Sequence, residues 1–313
     1  MKSSELEEIL LSVQHTRQTK RLDKYVALRV GKRISRQKIQ QSIREGRILL
    51  NDKRAEPSSR IKKGDRIRLY LPPRPQKYIP HYTELEILYE DEHILAVHKP
   101  SGMSMHPGPG HKGDTLAEAL VYRQRKLNQR SDDNPGTVHR LDLDTSGVVL
   151  TGKTLAAQQR LGKQFEQGSV QKTYLALVWG KLPASGKIQF PLGKCPGDRF
   201  IWIHDPQGKP ALTYYEAAEK FQEFTLLRVF PITGRTHQIR AHLCGIGHPI
   251  VGDPLYGKAN FYLRSGEYLR LSPATRLCLH ASELAFIHPF THQKLILKAP
   301  LPKDFCQVLE QIR

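Results

Sequence analysis

The chain has 313 residues, of which 39% are hydrophobic and 25% charged, a composition that excludes an intrinsically disordered chain and leaves room for two domains. No stretch is long and apolar enough for a membrane span, and the first ten residues lack the basic-then-apolar order of a secretory signal. The four cysteines are scattered without a Cys-x-x-Cys pair, so we expect no disulfide framework, no zinc site and a cytoplasmic protein.

The charge is strongly basic, with 49 Lys and Arg against 30 Asp and Glu, a net charge of +19 and an isoelectric point near 9.8. Residues 1–75 contain 20 Lys and Arg but only eight Asp and Glu, so +12 of the +19 lies there. Such an excess indicates a polyanionic partner, and its concentration at one end predicts a nucleic-acid-binding module. A solvated basic surface or a membrane-surface patch is the alternative that composition leaves open.

Residues 19–71 are predicted to form a small α+β domain. Leu22, Tyr25 and Val26 lie at helical spacing, and Ser35 caps a second helix that ends at Gly46. A hairpin built from RILLN and IKKGDRIRLYL follows, and the Pro-rich residues 72–81 are predicted to be a stiff linker. The basic side chains in and beside the second helix are candidates for contacts with RNA phosphates: Arg33, Arg36, Lys38, Arg44 and Arg47.

Residues 82–313 are predicted to form a second, larger domain with a mixed, mainly antiparallel sheet. The segments ELEILYEDEHILAVHKP and LAFIHPFTHQKLILKAP are typical of hairpins, whereas TLAEALVYRQRKL and HQIRAHLCGIG are typical of helices. VVLTGKT, KTYLALVWG and FTLLRVFPIT are β-rich. Because hairpins and helices both join the strands, the pattern favours an α+β fold over a doubly wound one.

Reactive side chains are concentrated in GTVHRLDLDTSGVVLTGKT, residues 136–154. Its last eight residues, Gly147–Thr154, match the G-x-x-x-x-G-K-[ST] pattern of a phosphate-binding loop, but the spacer Val-Val-Leu-Thr is typical of a strand. Alternatively, Asp142 and Asp144 could hold magnesium, although Asp144 is better explained as a turn former. These two patterns leave a nucleotide hydrolase and a metal site open as alternatives. A third interpretation considers residues 136–154 together rather than one short pattern at a time.

Taken as a whole, the run from His139 to Asp142, followed by Thr145, Ser146, Gly147 and a strand, resembles the signature of the RluA-type pseudouridine synthases. The resemblance continues in order along the chain and covers residues 84–303, through HKPSGM (98–103), KTYLALVWG (172–180), TGRTHQIRAH (233–242), GHPIVGDPLYG (247–257) and LCLHASELAFIHP (277–289). Residues 19–71 resemble the S4 RNA-binding domain. The resemblance implies an isomerase that converts uridine in RNA to pseudouridine.

The resemblance also implies roles for five side chains, with no cofactor and no metal. Asp142 is the catalytic carboxylate, which either attacks the ribose C1′ or deprotonates the sugar, and Arg240 is its salt-bridge partner. Tyr174 stacks on the flipped uracil and takes part in proton removal at C5, while Leu279 packs on the other side of the base. Arg140 enters the RNA stack where the uridine has left. No third metal ligand is evident beside His237 and His242, so we expect these two histidines to contact RNA or the core rather than a metal ion.

The RNA target is indicated only by finer resemblances. The S4-like module, the MSMHPGPG stretch at 103–110 and the ending KAPLPKDFCQVLEQIR resemble the branch that acts on large-subunit ribosomal RNA. We therefore expect a monomer that modifies uridines in structured RNA, specifically 23S ribosomal RNA, without a membrane partner. A tRNA pseudouridine synthase and a non-catalytic RNA-binding protein are the alternatives.

Overall fold

The structure, a computed structural model, describes residues 7–14, 21–30, 34–71, 78–108, 113–127, 133–257 and 274–313. The chain divides into two compact units, Met1–Lys77 and Tyr78–Arg313. Within the described ranges, no helix is both long enough and apolar enough to cross a bilayer.

The N-terminal unit is a three-stranded antiparallel sheet with two helices. Its elements are β1 (Glu7–Ser12), α1 (Leu22–Val30), α2 (Arg36–Arg44), β2 (Ile48–Leu50) and β3 (Arg66–Leu71), and the strand order is β1-β3-β2. The helices and the β2–β3 pair agree with the sequence analysis. Strand β1 was not predicted, and its pairing with β3 extends this unit ahead of residue 19.

The ends of α2 follow from local sequence. The hydroxyl of Ser35 accepts a hydrogen bond from the Lys38 amide, and Gly46, with a φ of +76°, turns the chain after the last helical residues. Ile39 and Ile43 are buried in the core of this unit. The helix therefore buries one face, while Lys38 and Arg44 stay exposed on the other.

The C-terminal unit contains eleven described strands and four described helices. The strands are β4 (Glu86–Glu90), β5 (Ile94–Lys99), β6 (Ser146–Gly152), β7 (Gln171–Trp179), β8 (Ser185–Gln189), β9 (Leu192–Cys195), β10 (Asp198–His204), β11 (Leu212–Lys220), β12 (Phe224–Pro231), β13 (Leu279–Ile287) and β14 (Lys294–Lys298). The helices are α3 (Leu116–Lys126), α4 (Leu155–Glu166), α5 (Gln238–Gly245) and α6 (Lys303–Ile312).

Nine of these strands form one sheet, in the order β4-β5-β6-β13-β7-β12-β11-β8 with β14 also paired to β13, while β9 and β10 form a separate two-stranded sheet. Among the described strands, β6 and β13 are the parallel pair, and the other pairings are antiparallel. This arrangement confirms the predicted mixed, mainly antiparallel α+β fold. It also makes β6, β13 and β7 neighbours at the middle of the sheet, although they are far apart in the chain.

Gly147 lets the two parallel strands approach closely. Its φ is +127°, and a Cβ at this position would overlap the backbone of Ala281 in β13. The apolar residues of β6 are buried on both sides of the sheet, Val148 and Leu150 on one side and Val149 on the other. The loop that precedes β6 is thereby fixed against the centre of the sheet, and this loop carries Asp142.

Candidate active site

A cavity of about 730 Å³ lies beside the central strands, within the size range of small-molecule pockets. The five side chains that the family resemblance singled out all line it: Arg140, Asp142, Tyr174, Arg240 and Leu279. They come from the loop before β6, from β7, from α5 and from the start of β13. The structure therefore brings together residues that are separated by up to 139 positions in the chain.

The loop that carries Asp142 is held on both sides. Before Asp142, Nε2 of His139 accepts a hydrogen bond of 2.9 Å from the Leu150 amide, and the ring stacks on Phe165. After it, the fully buried Lys99 donates to the carbonyl oxygens of Leu143, Met103 and Pro100 at 2.8–2.9 Å. Burial lowers the pKa of Lys99 to about 7, while its three acceptors match the three N–H bonds of an ammonium group.

Arg240 is the cation beside Asp142, as the resemblance implied, but Asp142 is not its principal partner. The Nη1 atom of Arg240 lies 3.7 Å from Oδ2 of Asp142. Its Nε and Nη2 atoms donate to the two carboxylate oxygens of Asp253 at 2.8 and 2.7 Å. The sequence analysis quoted the segment that contains Asp253 without assigning it a role.

Asp253 is held in place in turn by the backbone. Its side chain is completely buried, and its Oδ1 atom also accepts hydrogen bonds from the amides of Leu255 and Tyr256 at 2.9 and 3.0 Å. The guanidinium of Arg240 lies over the Tyr256 ring, 5.1 Å from its centre. Although burial alone would lower the pKa of Arg240, Asp253 and Asp142 outweigh that effect and raise it. Arg240 is therefore a permanently charged, fixed group.

Tyr174 and Leu279 form the apolar part of the cavity. Tyr174 lies on β7, and Leu279 is buried at the start of β13, on the adjacent strand. Burial and the negative charge of Asp142 raise the pKa of Tyr174 well above its usual value. Its hydroxyl is therefore protonated at neutral pH. Arg140 lies at the rim and is exposed.

The phosphate-binding-loop interpretation of residues 147–154 does not fit the structure. Ser146–Gly152 is strand β6, the Lys153 ammonium donates to Glu90 and to the Asp91 carbonyl, and the Thr154 hydroxyl caps α4. The phosphate-binding loop is therefore excluded. Over the ranges that the structure covers, no group of three or more His, Cys, Asp or Glu side chains is placed to hold a metal ion.

The basic residues predicted to contact RNA in the N-terminal unit fall into two groups. Arg36 donates to the buried Asp23 carboxylate at 2.8 Å, and Arg47 pairs with Glu45. Lys38 and Arg44 are exposed. Arg33 lies outside the described residues. Among the predicted contacts within the described residues, Arg36 and Arg47 are engaged in ion pairs of the unit, and Lys38 and Arg44 are the more available cations.

Comparison with known proteins agrees with the geometry of the cavity. The family described as RNA pseudouridylate synthase matches residues 93–244, and the S4 domain matches residues 20–67. The ribosomal large subunit pseudouridine synthase D of Nitrosomonas europaea is 38% identical over 281 residues, which cover 89% of this chain and 80% of that protein. The chain belongs to the RNA pseudouridylate synthase family.

Two further comparisons extend over most of the chain. An uncharacterized RNA pseudouridine synthase of Chlorobaculum parvum is 38% identical over 97% of each chain. Human RNA Pseudouridylate Synthase Domain Containing 4 shares the fold with a TM-score of 0.60 at 23% identity, over 72% of this chain and 92% of that one. This pseudouridine synthase is thus an RNA-modifying isomerase with an S4 domain at its N-terminal end.

Proposed function

We propose that this pseudouridine synthase isomerises uridines in large-subunit ribosomal RNA and that the carboxylate of Asp142 is its catalytic group. The observation that carries the proposal is the position of Asp142, partly exposed to the cavity and 3.7 Å from a buried arginine that is anchored elsewhere. The ribosomal target is supported by the relative from Nitrosomonas europaea, which is named for the large ribosomal subunit. The enzyme would then act in the cytoplasm, as a monomer.

The reaction breaks the N1–C1′ bond of uridine, turns the uracil and joins its C5 to C1′. The C5 proton is lost and N1 gains a proton, so the reaction needs no redox partner and no energy source. Attack of the carboxylate on C1′ and removal of a sugar proton by it both require one carboxylate oxygen beside the ribose. The single long contact between Arg240 and Asp142 leaves the Asp142 oxygens available for that role.

Tyr174 and Leu279 are proposed to hold the flipped uracil between them. Because the charge of Asp142 helps to keep the Tyr174 hydroxyl protonated, loss of that charge would lower the pKa of Tyr174. A covalent bond between Asp142 and C1′ would remove the charge. The Tyr174 hydroxyl would therefore give up its own proton more readily at the stage when the C5 proton has to leave, and the phenolate would be the form that accepts the C5 proton.

The two units are proposed to divide the work. Residues 19–71, preceding the linker at 72–81, would bind RNA through phosphates, and residues 82–313 would carry out the isomerisation. Arg140, exposed at the rim of the cavity, would occupy the place that the uridine leaves in the RNA stack.

The proposal is tested by treating large-subunit ribosomal RNA transcripts with the purified enzyme and mapping pseudouridine by carbodiimide modification and primer extension. We expect stops with the wild type and none with Asp142→Asn. Asp144→Asn is the matched control, because Asp144 lies two residues away in the same loop and its side chain does not line the cavity. Loss of activity in both variants, or in neither, would contradict the assignment of Asp142.

A further inference from the structure

His237 has a backbone conformation that residues other than glycine uncommonly adopt. It precedes the first residue of α5 with φ 53° and ψ 21°, in the left-handed region, and its side chain makes no capping hydrogen bond. Glycine or asparagine fits this conformation at lower cost. Strained residues of this kind are concentrated at functional sites, where the surrounding fold maintains them. The backbone conformation of His237 therefore suggests that its imidazole has a function.

The neighbouring residues hold this conformation in place. The Gln238 side chain donates to the Leu212 carbonyl and to the Thr213 hydroxyl at 3.0 Å and accepts from the Arg235 amide. The His237 carbonyl accepts the Ala241 amide at 2.8 Å, as the first bond of the helix. The position of the ring is thus fixed by the start of α5.

The ring lines the same cavity as Asp142 and makes one hydrogen bond in the described part of the protein. Its Nδ1 atom lies 3.2 Å from the hydroxyl oxygen of Tyr256. Its Nε2 atom has no partner among the described residues, and it is not one of their buried unpaired polar atoms. Nε2 is therefore accessible, on a ring that lines the cavity.

Tyr256 determines which ring nitrogen carries the proton. The Tyr256 hydroxyl oxygen already accepts the Trp202 amide at 2.8 Å, and Tyr256 is 3% exposed. The acceptor that the described residues offer to its own proton is Nδ1 of His237. Burial lowers the pKa of His237, so the ring is neutral at neutral pH. A neutral imidazole that accepts at Nδ1 must donate at Nε2.

We infer that His237 is a catalytic residue that donates a hydrogen bond from Nε2 to a carbonyl oxygen of the target uracil. The inference rests on the proposed function. When the N1–C1′ bond breaks, the electron pair moves onto the uracil and is shared by O2 and O4, so a fixed donor there stabilises the departing base more than the bound uridine. A phosphate group is a less suitable acceptor for Nε2 than a uracil carbonyl. It would lie in the same cavity as the Asp142 carboxylate, and the imidazole that faces it would carry no positive charge.

The test combines a variant with changes in the substrate. After the modified uridine has been mapped with the wild type, RNAs are synthesised with uridine, 2-thiouridine or 4-thiouridine at that position, since sulfur accepts hydrogen bonds poorly. His237→Gly removes the ring and suits the left-handed backbone. His292→Gly is the matched control, because His292 is also left-handed, with φ 59°, but is exposed in the β13–β14 turn.

We expect single-turnover rates on uridine to fall about a hundredfold in His237→Gly, the usual effect of losing one such donor, with little change in the Kd for RNA. The wild type should react more slowly with one of the two thio-substituted RNAs, and His237→Gly should lose that distinction. His292→Gly should behave as the wild type, and Tyr256→Phe should show a smaller loss in the same pattern. An active wild type whose preference among the three RNAs is unchanged in His237→Gly would overturn this inference alone. A wild type that forms no pseudouridine would overturn the proposed function as well.

Discussion

Removing the negative charge of Asp253 should affect both stability and activity, because Asp253 anchors the guanidinium beside Asp142. In Asp253→Asn the two hydrogen bonds from Arg240 cannot both be kept, since one carboxylate oxygen becomes an amide that donates. Arg240 is only 3% exposed, and its remaining acidic neighbour is Asp142 at 3.7 Å. The variant therefore leaves a buried cation with its closest counterion lost.

The size of the effect can be worked from the geometry. Breaking a buried, hydrogen-bonded ion pair by removing one partner typically costs about 3–5 kcal/mol. Asp253 also accepts two backbone amides, of Leu255 and Tyr256. An asparagine can keep these two bonds through its carbonyl oxygen, so we expect a loss near the lower end, about 3 kcal/mol. Asp304→Asn is a suitable control, because Asp304 pairs with Arg276 at 3.3 Å but is 51% exposed, and surface pairs contribute at most about 1 kcal/mol.

The assay is urea unfolding of the full chain at pH 7, followed by single-turnover pseudouridine formation under conditions in which the variant is folded. We expect Asp253→Asn to unfold at a clearly lower urea concentration than Asp304→Asn. We also expect a rate loss that saturating RNA does not restore, because Arg240 is no longer held. If Asp253→Asn were as stable as Asp304→Asn and as active as the wild type, the anchoring role of Asp253 would be refuted.

Three other changes test other parts of the structure. Lys99→Met leaves three carbonyl oxygens near the Asp142 loop without their donor. We therefore expect the free energy of unfolding in urea to fall by about 3 kcal/mol and the rate of pseudouridine formation to fall as well. A variant as stable as the wild type would contradict this. Burial lowers the pKa of His280 to about 4, so unfolding takes up a proton between pH 6.5 and 4 and stability falls as the pH is lowered through that window. His280→Asn should flatten that part of the stability–pH curve relative to the wild type, and an unchanged slope would show that His280 does not cause it. Replacing Lys38 and Arg44 together by Gln should weaken RNA binding and reduce the salt slope of log K by about 1.5 to 2, whereas an unchanged slope would mean that neither residue contacts phosphate.

The elements that could be predicted are those whose local sequence determines them. Helix α2 carries its own cap at Ser35 and its own stop at Gly46, and the β4–β5 and β13–β14 hairpins alternate apolar residues around short turns. Strand β1 was missed because its partner, β3, is more than fifty residues away and its own residues are mostly acidic or aliphatic. Helices α4 and α6 and strands β8 to β11 were not assigned individually.

The residues that line the candidate site could be predicted from the sequence, but the hydrogen-bond network around them could not. Asp142, Tyr174, Arg240 and Leu279 stand in recognisable segments, and the fold brings them to one cavity. The partner of Arg240 could not be derived, because Asp253 lies thirteen positions further on and meets Arg240 only after α5 and the following turn have folded. For the same reason the sequence does not reveal the ion pair between Arg36 and Asp23 in the N-terminal unit, and the contact of Arg36 with RNA stays a prediction.

The network determines how much of the Asp142 carboxylate is engaged by Arg240. A bidentate pair between Arg240 and Asp142 would occupy both carboxylate oxygens and reduce their availability to the ribose. In this protein Asp253 takes that bidentate position, and Arg240 offers Asp142 only Nη1, at 3.7 Å. Asp253, whose side chain is completely buried, is thereby paired with the guanidinium, and Asp142 is the partly exposed member of the three. Asp253 therefore fixes the cation in place and leaves the Asp142 oxygens available for the catalytic role proposed above.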